Sequence, residues 1–232
     1  MNDVVWMLRQ EASRLDGFGR PFVFTGGAVV SLYLDRVRPA DVRATRDVDV
    51  VVAATSYASW HHAEAWLRDQ GWTQPLLEDA PICRWRTPDG VLVDMMPAHS
   101  DVLGFSNPWY EPGIARATHK HLDDGTSIAT FGAADFVATK VAAFEGRGRG
   151  DWYASHDLED IFTIIEGRAA LVSEVADAPP DVRAYIEAWA TQLVAMTWLD
   201  DIIEAHLSRE ALRSGFAATV RQRVEALARG GV

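Results

Sequence analysis

Cysteine and lysine are almost missing from this chain of 232 residues: Cys83 is the single thiol, and Lys120 and Lys140 are the only lysines beside 20 arginines. One thiol closes no internal disulfide, so a disulfide-stapled scaffold is excluded and nothing requires an oxidising compartment. Positive charge is short as well. Lys and Arg number 22 against 33 Asp and Glu, a net charge of −11 at neutral pH. Such a balance excludes coating of nucleic acid or an anionic membrane by bulk electrostatics, and any polyanionic partner must be held by a local patch. Long hydrophobic runs are absent too. The most apolar helical region, Ala184 to Leu207, is interrupted by Glu187, Gln192, Asp200 and Asp201, so no bilayer-spanning segment and no membrane partner is expected. Met1-Asn2-Asp3 carries an acid where a signal peptide needs a basic stretch, which makes the cytoplasm the expected location. What is present is ordinary globular composition, 48% apolar and 24% charged, enough for one large domain or two modest ones.

Two styles of sequence follow one another. Up to about Phe131, short β-rich runs alternate with turns; beyond it nearly everything has helical spacing. The first part reads as a helix over Val4 to Leu15 and a buried strand over Phe22 to Phe24. That strand enters Gly26-Gly27, and a helix over Ala28 to Leu34 follows directly. A second strand covers Asp47 to Val52, and a helix over Tyr57 to Gln70 is stopped by Gly71. Ile82 to Arg86 and Val91 to Met96 flank Thr87-Pro88-Asp89-Gly90, a strong hairpin turn, and a weaker β pair turns at Asp123-Asp124-Gly125. Helices are expected at about 133 to 147, 156 to 167, 181 to 207 and 209 to 229. The charge divides as well: residues 1–150 carry 15 basic and 19 acidic side chains, whereas residues 151–232 carry 7 and 14.

Asp47 and Asp49 hold the chemistry. Aspartate is disfavoured in strands, yet both stand in an otherwise all-valine run, and the period of two puts them on one face, roughly 6 to 7 Å apart. Like charges so placed repel unless something positive lies between them. Carboxylate oxygens on a rigid strand suit Mg²⁺, which takes one or two carboxylates and completes its octahedron with water and substrate phosphates. Asp94 lies in a comparable apolar run. If its strand lies beside Asp47 to Val52, a third carboxylate joins the other two, and three can hold the two-metal arrangement of in-line phosphoryl displacement. Gly26-Gly27, between strand and helix, lets the backbone approach a ligand closely with free N–H groups, an anion site. The competing readings are a plain tight turn for the glycines and an aggregation-resistant edge strand for the aspartates. Val48 and Val50 to Val52 are too apolar for a solvated edge.

The pattern Gly26-Gly27, then Arg43-x-Thr45-x-Asp47-x-Asp49, then Asp94 resembles the nucleotidyltransferase superfamily built on the polymerase-β-type core, and most resembles the AbiEii/AbiGii toxin family, which includes the MenT toxins. Asp135-Phe-Val-Ala-Thr-Lys140-Val-Ala-Ala143-Phe-Glu-Gly-Arg147, followed by Ser155-His156-Asp157-Leu-Glu-Asp160, is similar to that family's Lys-x-x-Ala-x-x-x-Arg motif and its downstream aspartate motif. The likeness spans roughly residues 20 to 168. It departs at Gly26-Gly27, where Gly-Ser is usual; Gly-Gly also occurs in the superfamily, as in CCA-adding enzymes.

The resemblance implies an α/β (α+β) fold, a nucleotidyltransferase core with a mixed sheet flanked by helices over residues 1–132, followed by a C-terminal helical bundle over 133–232 that contributes to the active-site cleft. It implies transfer of a nucleoside monophosphate from an NTP to an acceptor hydroxyl, with Mg²⁺ as cofactor, two ions when the NTP is bound. Asp47, Asp49 and Asp94 would hold metal, with Asp94 also the base. Lys140 would bind the triphosphate and Asp157 would take a catalytic role. Thr25, Gly26, Gly27, Arg43, Thr45, Arg147 and Asp160 would complete the nucleotide site. The implied acceptor is the 3′ end of tRNA, met through local arginines such as Arg36, Arg38, Arg43, Arg46, Arg84 and Arg86, and the implied further partner is a cognate antitoxin. Several residues keep a second reading: Arg43 and Arg46 as loop charges, Lys140 as a solvated helix charge, Asp157 and Asp160 as first-turn acids favoured by the helix dipole. Trp109 and Trp152 are placed as bases' stacking partners. His61-His62, adjacent on a helix, face different ways and make a poor metal pair, and His119 and His121 share a strand face but lack a third ligand. A small-molecule acceptor, as in aminoglycoside nucleotidyltransferases, and a silent nucleotide-binding module are the rival functions.

Overall fold

The computed structural model describes residues 3–37, 45–75, 81–147 and 150–231. The chain divides into two compact units, Met1–Val29 with Arg43–Gly132, and Val30–Val42 with Ala133–Val232.

In the first unit, α1 (Asp3–Arg14) precedes β1 (Phe22–Thr25), β2 (Asp47–Val52), α2 (Tyr57–Asp69), β3 (Arg84–Arg86) and β4 (Leu92–Pro97). The short helices α3 (Ser100–Leu103) and α4 (Tyr110–Ala115) then lead to β5 (Thr118–His121) and β6 (Ser127–Thr130). The strands form one sheet in the order β3-β4-β2-β1-β6-β5. It is mixed: β2 runs parallel to β4 and β1 parallel to β6, while the pairs β1 with β2, β3 with β4 and β5 with β6 are antiparallel. The all-valine part of β2 explains its place. Val48, Val50, Val51 and Val52 are fully buried, and β-branched side chains of this kind fit a pleated surface packed on both faces. β2 therefore has a strand on each side, and the edge-strand reading of Asp47 and Asp49 does not hold. The hairpin turn forms as the residues dictate, with Gly90 N–H donating to Thr87 carbonyl at 2.9 Å. Ser56 and Ser59 build a reciprocal cap at the start of α2.

The helix expected after Gly26-Gly27 is a 3-10 helix over Gly27–Tyr33. Adjacent β-branched Val29 and Val30 and a leading glycine are poor α-helix formers, and a piece this short closes more readily in the tighter form. Residues 30–37 group with the helical unit rather than with the sheet. There the Tyr33 ring packs 4.7 Å from that of Phe136, Arg168 Nη1 donates to the Tyr33 carbonyl at 2.9 Å, and Asp35 N–H donates to the Gly167 carbonyl at 2.9 Å.

The second unit is otherwise helical: α5 (Ala133–Arg147), α6 (His156–Gly167), α7 (Leu171–Ala176), α8 (Pro180–Val194), α9 (Leu199–His206), α10 (Arg209–Arg213) and α11 (Phe216–Leu227). Two long expected helices are each broken. The buried stripe of α8 is Val182, Ile186, Trp189, Ala190 and Leu193. Continued at helical spacing it would turn Asp200 and Glu204 inward. The break after Val194 resets the phase so that α9 buries Leu199, Ile202, Ile203 and His206 instead. The second break is at Gly215, whose φ of +75° is a conformation that glycine adopts without penalty. α7 falls between the expected helices at 156–167 and 181–207, too short for periodicity to reveal. Among the described residues no helix is long and apolar enough to cross a membrane.

Candidate functional site

Strand register gathers the first set of residues. Thr25 pairs with Asp49, Asp49 with Asp94, and Asp94 with Arg84, so one row crosses four neighbouring strands. Asp47 lies two residues before Asp49 and therefore on the same face, as does Arg86 beside Leu92. Adjacent strands are about 4.8 Å apart. The three carboxylates lie close enough to repel one another, and the structure sets three groups against them.

Arg84 is the main one. Its Nε donates to Asp94 Oδ1 at 2.7 Å and its Nη2 to Asp94 Oδ2 at 2.7 Å, a bidentate fork, and Nη2 also reaches Asp47 Oδ2 at 2.8 Å. Hydrogen bonding to Asp94 raises the already high pKa of the guanidinium, which stays charged at any working pH. Thr45 is the second: its hydroxyl donates to Asp47 Oδ1 at 2.8 Å and fixes the other edge of that carboxylate. Gly26 is the third. A Cβ at this position would stand 1.7 Å from Asp49 Oδ2 and 2.6 Å from its Cγ, so the Asp49 carboxylate lies against bare backbone. The close approach that Gly-Gly permits is thus made first by the chain's own aspartate.

Gly26 also has φ of +72°. Gly26→Ala combines left-handed strain of about 1–2 kcal/mol with a contact that must expel the Asp49 side chain. We expect a thermal midpoint lowered by several degrees, measured by calorimetry, and a displaced Asp49 in the crystal structure of the variant.

Cys83, next to Arg84, is buried. Burial, reinforced by the Asp94 charge, pushes its thiol up to about 12. The native protein is expected to react with a thiol reagent orders of magnitude more slowly than the denatured chain, and a fast native reaction would contradict the burial.

Among the described residues no group of three or more His, Cys, Asp or Glu side chains could hold a metal ion by itself. The donor set nevertheless fits Mg²⁺. Oxygens of Asp47 and Asp94 already converge on a cation, the Arg84 guanidinium, and Mg²⁺ asks the protein for one or two carboxylates, with phosphates and water supplying the rest.

The second set lies in the helical unit. Lys140 Nζ is 3.1 Å from Asp157 Oδ1 and 2.6 Å from Asp160 Oδ2. Arg147 contributes Nε to Asp157 Oδ2 at 3.2 Å and Nη2 to Asp157 Oδ1 at 3.2 Å. Lys140 and Asp157 side chains are each 8% exposed, whereas that of Arg147 is 72% exposed. Lys140 is therefore not a solvated helix charge. Burial would raise the Asp157 carboxyl, but Lys140 and Arg147 outweigh it and hold the group below the usual carboxylate range. Ser155 caps α6 just before these acids, its hydroxyl accepting the Leu158 N–H at 3.5 Å.

The remaining expected residues are more scattered. Arg46 and Arg86 are exposed on the first unit and Arg36 on the second; Arg38 and Arg43 lie outside the described residues. Arg84, expected in an RNA-facing patch, is committed to Asp94 and Asp47. Trp152 packs edge-on against Phe144, with ring centres 4.7 Å apart, and Trp109 is half-buried at the start of α4. His61, His62, His119 and His121 are exposed. Sequence reasoning missed the partnership of Arg84 with Asp94, although the hairpin turn sets their register.

No protein-family model matches this sequence, and no curated protein matches it. Solved structures do. An antigenic nucleotidyltransferase-like protein from Paracoccidioides brasiliensis aligns with a TM-score of 0.54 at 18% identity, over 91% of this chain and 96% of that one. The antibiotic-resistance factor ANT(2'')-Ia aligns with a TM-score of 0.43 at 16% identity, over 97% and 100%. JHP933 from Helicobacter pylori gives 0.40 at 12% identity, over 99% and 96%. At such identities the likeness is one of fold: the chain has a nucleotidyltransferase-like α/β fold, a mixed six-stranded sheet with flanking helices.

Proposed function

We propose that this protein is a Mg²⁺-dependent nucleotidyltransferase that moves a nucleoside monophosphate from an NTP to an acceptor hydroxyl. The observation that carries the reading is the row Thr25, Asp49, Asp94 and Arg84, with Asp47 on the same face and Gly26 against Asp49. Residues 1–132 form the catalytic core in this reading and 133–232 the helical domain.

The acceptor oxygen attacks the α-phosphorus, the bond from that phosphorus to the β-bridging oxygen breaks, and pyrophosphate leaves. The hydroxyl proton passes to Asp94, acting as base. Asp47, Asp49 and Asp94 would hold Mg²⁺ together with substrate phosphates, and the ion would supply neutralisation of the triphosphate charge. Thr45 positions Asp47 through its hydroxyl. The space above Gly26 is taken by Asp49, and from the resemblance Gly26 and Gly27 are carried as phosphate contacts through their backbone N–H groups. Catalysis of this kind rests on positioning and charge stabilisation rather than on covalent work by the protein. From the resemblance, Lys140 and Arg147 are carried as triphosphate ligands, with Asp157 and Asp160 holding Lys140.

The finer part of the proposal follows the AbiEii/AbiGii resemblance: the acceptor is the 3′ end of tRNA, reached through arginines such as Arg46 and Arg86, and an antitoxin is the cognate partner. Incubation with α-labelled NTPs, Mg²⁺ and total tRNA tests it. Label on RNA supports the acceptor. Label on a small molecule instead removes the tRNA assignment and keeps the reaction.

A further inference from the structure

We infer that Arg84 is a resident counter-cation of the carboxylate site, which a divalent ion must displace, so that the site takes metal weakly until a polyphosphate receives the arginine. The inference rests on the nucleotidyltransferase reading and deepens it.

Oxygen occupancy makes the argument. Both oxygens of Asp94 accept from Arg84, and Asp47 accepts from Arg84 on one oxygen and from Thr45 on the other. Four of the carboxylate oxygens that would ligate a divalent ion, both of Asp94 and both of Asp47, are thus already engaged. Mg²⁺ requires near-octahedral oxygens at about 2.0–2.1 Å, a geometry incompatible with a guanidinium seated on the same oxygens. Coulomb repulsion between a trapped guanidinium and an incoming divalent ion adds to the conflict. One cation excludes the other.

Arg84 is also placed to leave. It sits on β3, the outermost strand on its side of the sheet, and its side chain is 23% exposed. A triphosphate brings enough negative charge to satisfy both cations, and its oxygens suit the arginine's planar fork as well as a carboxylate does. Release also frees Asp94 to accept the acceptor's proton. Metal and nucleotide are therefore expected to enter together, each favouring the other.

The test uses the full chain and Mn²⁺ alone, with free Mn²⁺ followed by electron paramagnetic resonance and without any activity readout. Arg84→Gln is expected to bind Mn²⁺ about tenfold or more tightly than the wild type, because a charge-assisted bidentate pair no longer opposes the ion. Arg68→Gln is the control for net charge. Arg68 lies 5.3 Å over the ring of Trp85, whose side chain is on the opposite face of β3 from Arg84, and its loss should leave Mn²⁺ affinity within about twofold of wild type. Arg84→Lys keeps a positive charge for folding but cannot span both carboxylates, and it too should bind Mn²⁺ more tightly.

Equal affinity in the wild type and folded Arg84 variants overturns the counter-cation role while leaving the metal site standing. Equal gains in Arg84→Gln and Arg68→Gln reduce the effect to net charge and overturn it also. No Mn²⁺ bound by any folded Arg84 variant removes the metal site itself, and with it the catalytic reading beneath the inference.

Discussion

Asp94→Asn is expected to lower nucleotidyl transfer by about 10²–10³-fold or more, the scale on which removing one transition-state stabilising group is felt. The substitution is isosteric and removes half of the fork that holds Arg84 and, in the proposed function, a metal ligand and the base as well. Stability should change far less. The fork is partly exposed, and an amide oxygen still accepts one of the two guanidinium bonds, so a loss of about 1–2 kcal/mol is expected. Steady-state kinetics beside a thermal melt separates the two effects. A variant that folds like wild type and retains more than a tenth of the activity would contradict the assignment of Asp94.

The largest stability effect is expected in the helical unit. Lys140→Ala leaves Asp157 and Asp160 buried without their main cation, and removing one partner of a buried pair costs about 3–5 kcal/mol. In a chain of this size that is a fall in Tm of roughly 6–20 °C. The pH dependence gives the cause. In the wild type the Asp157 carboxyl is held below its ordinary value of 3.8. Its contribution is fully present above that value and is lost as acid passes through the lower folded value. In Lys140→Ala burial is opposed only by Arg147, so the native state gains affinity for a proton and the variant should become more stable as pH falls from 7 towards 5. Groups common to both proteins, such as the Glu11 carboxyl that burial pushes up to about 7, act equally in each, so the measured sign is that the gap in stability between variant and wild type narrows over that range. Adding Asp157→Asn and Asp160→Asn to Lys140→Met should recover much of the loss, because a buried ion cluster replaced as a whole is often nearly neutral. No recovery in that triple variant would show that the ion pairs are not what Lys140 provides. Any activity lost beyond the loss of folded protein would support the proposed role of Lys140 on the triphosphate.

Much of the site is legible from local sequence because strand periodicity is local. The valines of β2 mark a buried strand, the period of two aligns Asp47 with Asp49, and the turn at Thr87 to Gly90 fixes which residue of β3 faces Asp94. What the pattern cannot carry is a side chain's choice of partner. Arg84 reads as surface charge beside Arg86, yet one is locked onto carboxylates and the other is exposed, although both share a face. Thr45 likewise reads as part of a motif, and only its bond to Asp47 shows that it positions a carboxylate. Gly26 is legible as a turn, but its need to be glycine comes from Asp49, a residue on another strand. In the helical part, spacing alone joins α8 to α9. The break follows from a conflict of phase, since a continuous helix would bury Asp200 and Glu204. The parallel pairing of β1 with β6 joins residues more than 100 positions apart, a distance over which no local signal acts.

The most direct measurement is pyrophosphate release from each of the four NTPs by the full chain with Mg²⁺, in the presence of total RNA and a pool of small hydroxyl acceptors, beside Asp49→Asn. Release is expected to be matched mole for mole by nucleotide incorporated into an acceptor, and to be abolished in Asp49→Asn and by chelation of the metal. Tight NTP binding by folded protein with no pyrophosphate from any NTP, or release that Asp49→Asn leaves unchanged, would contradict the proposed function.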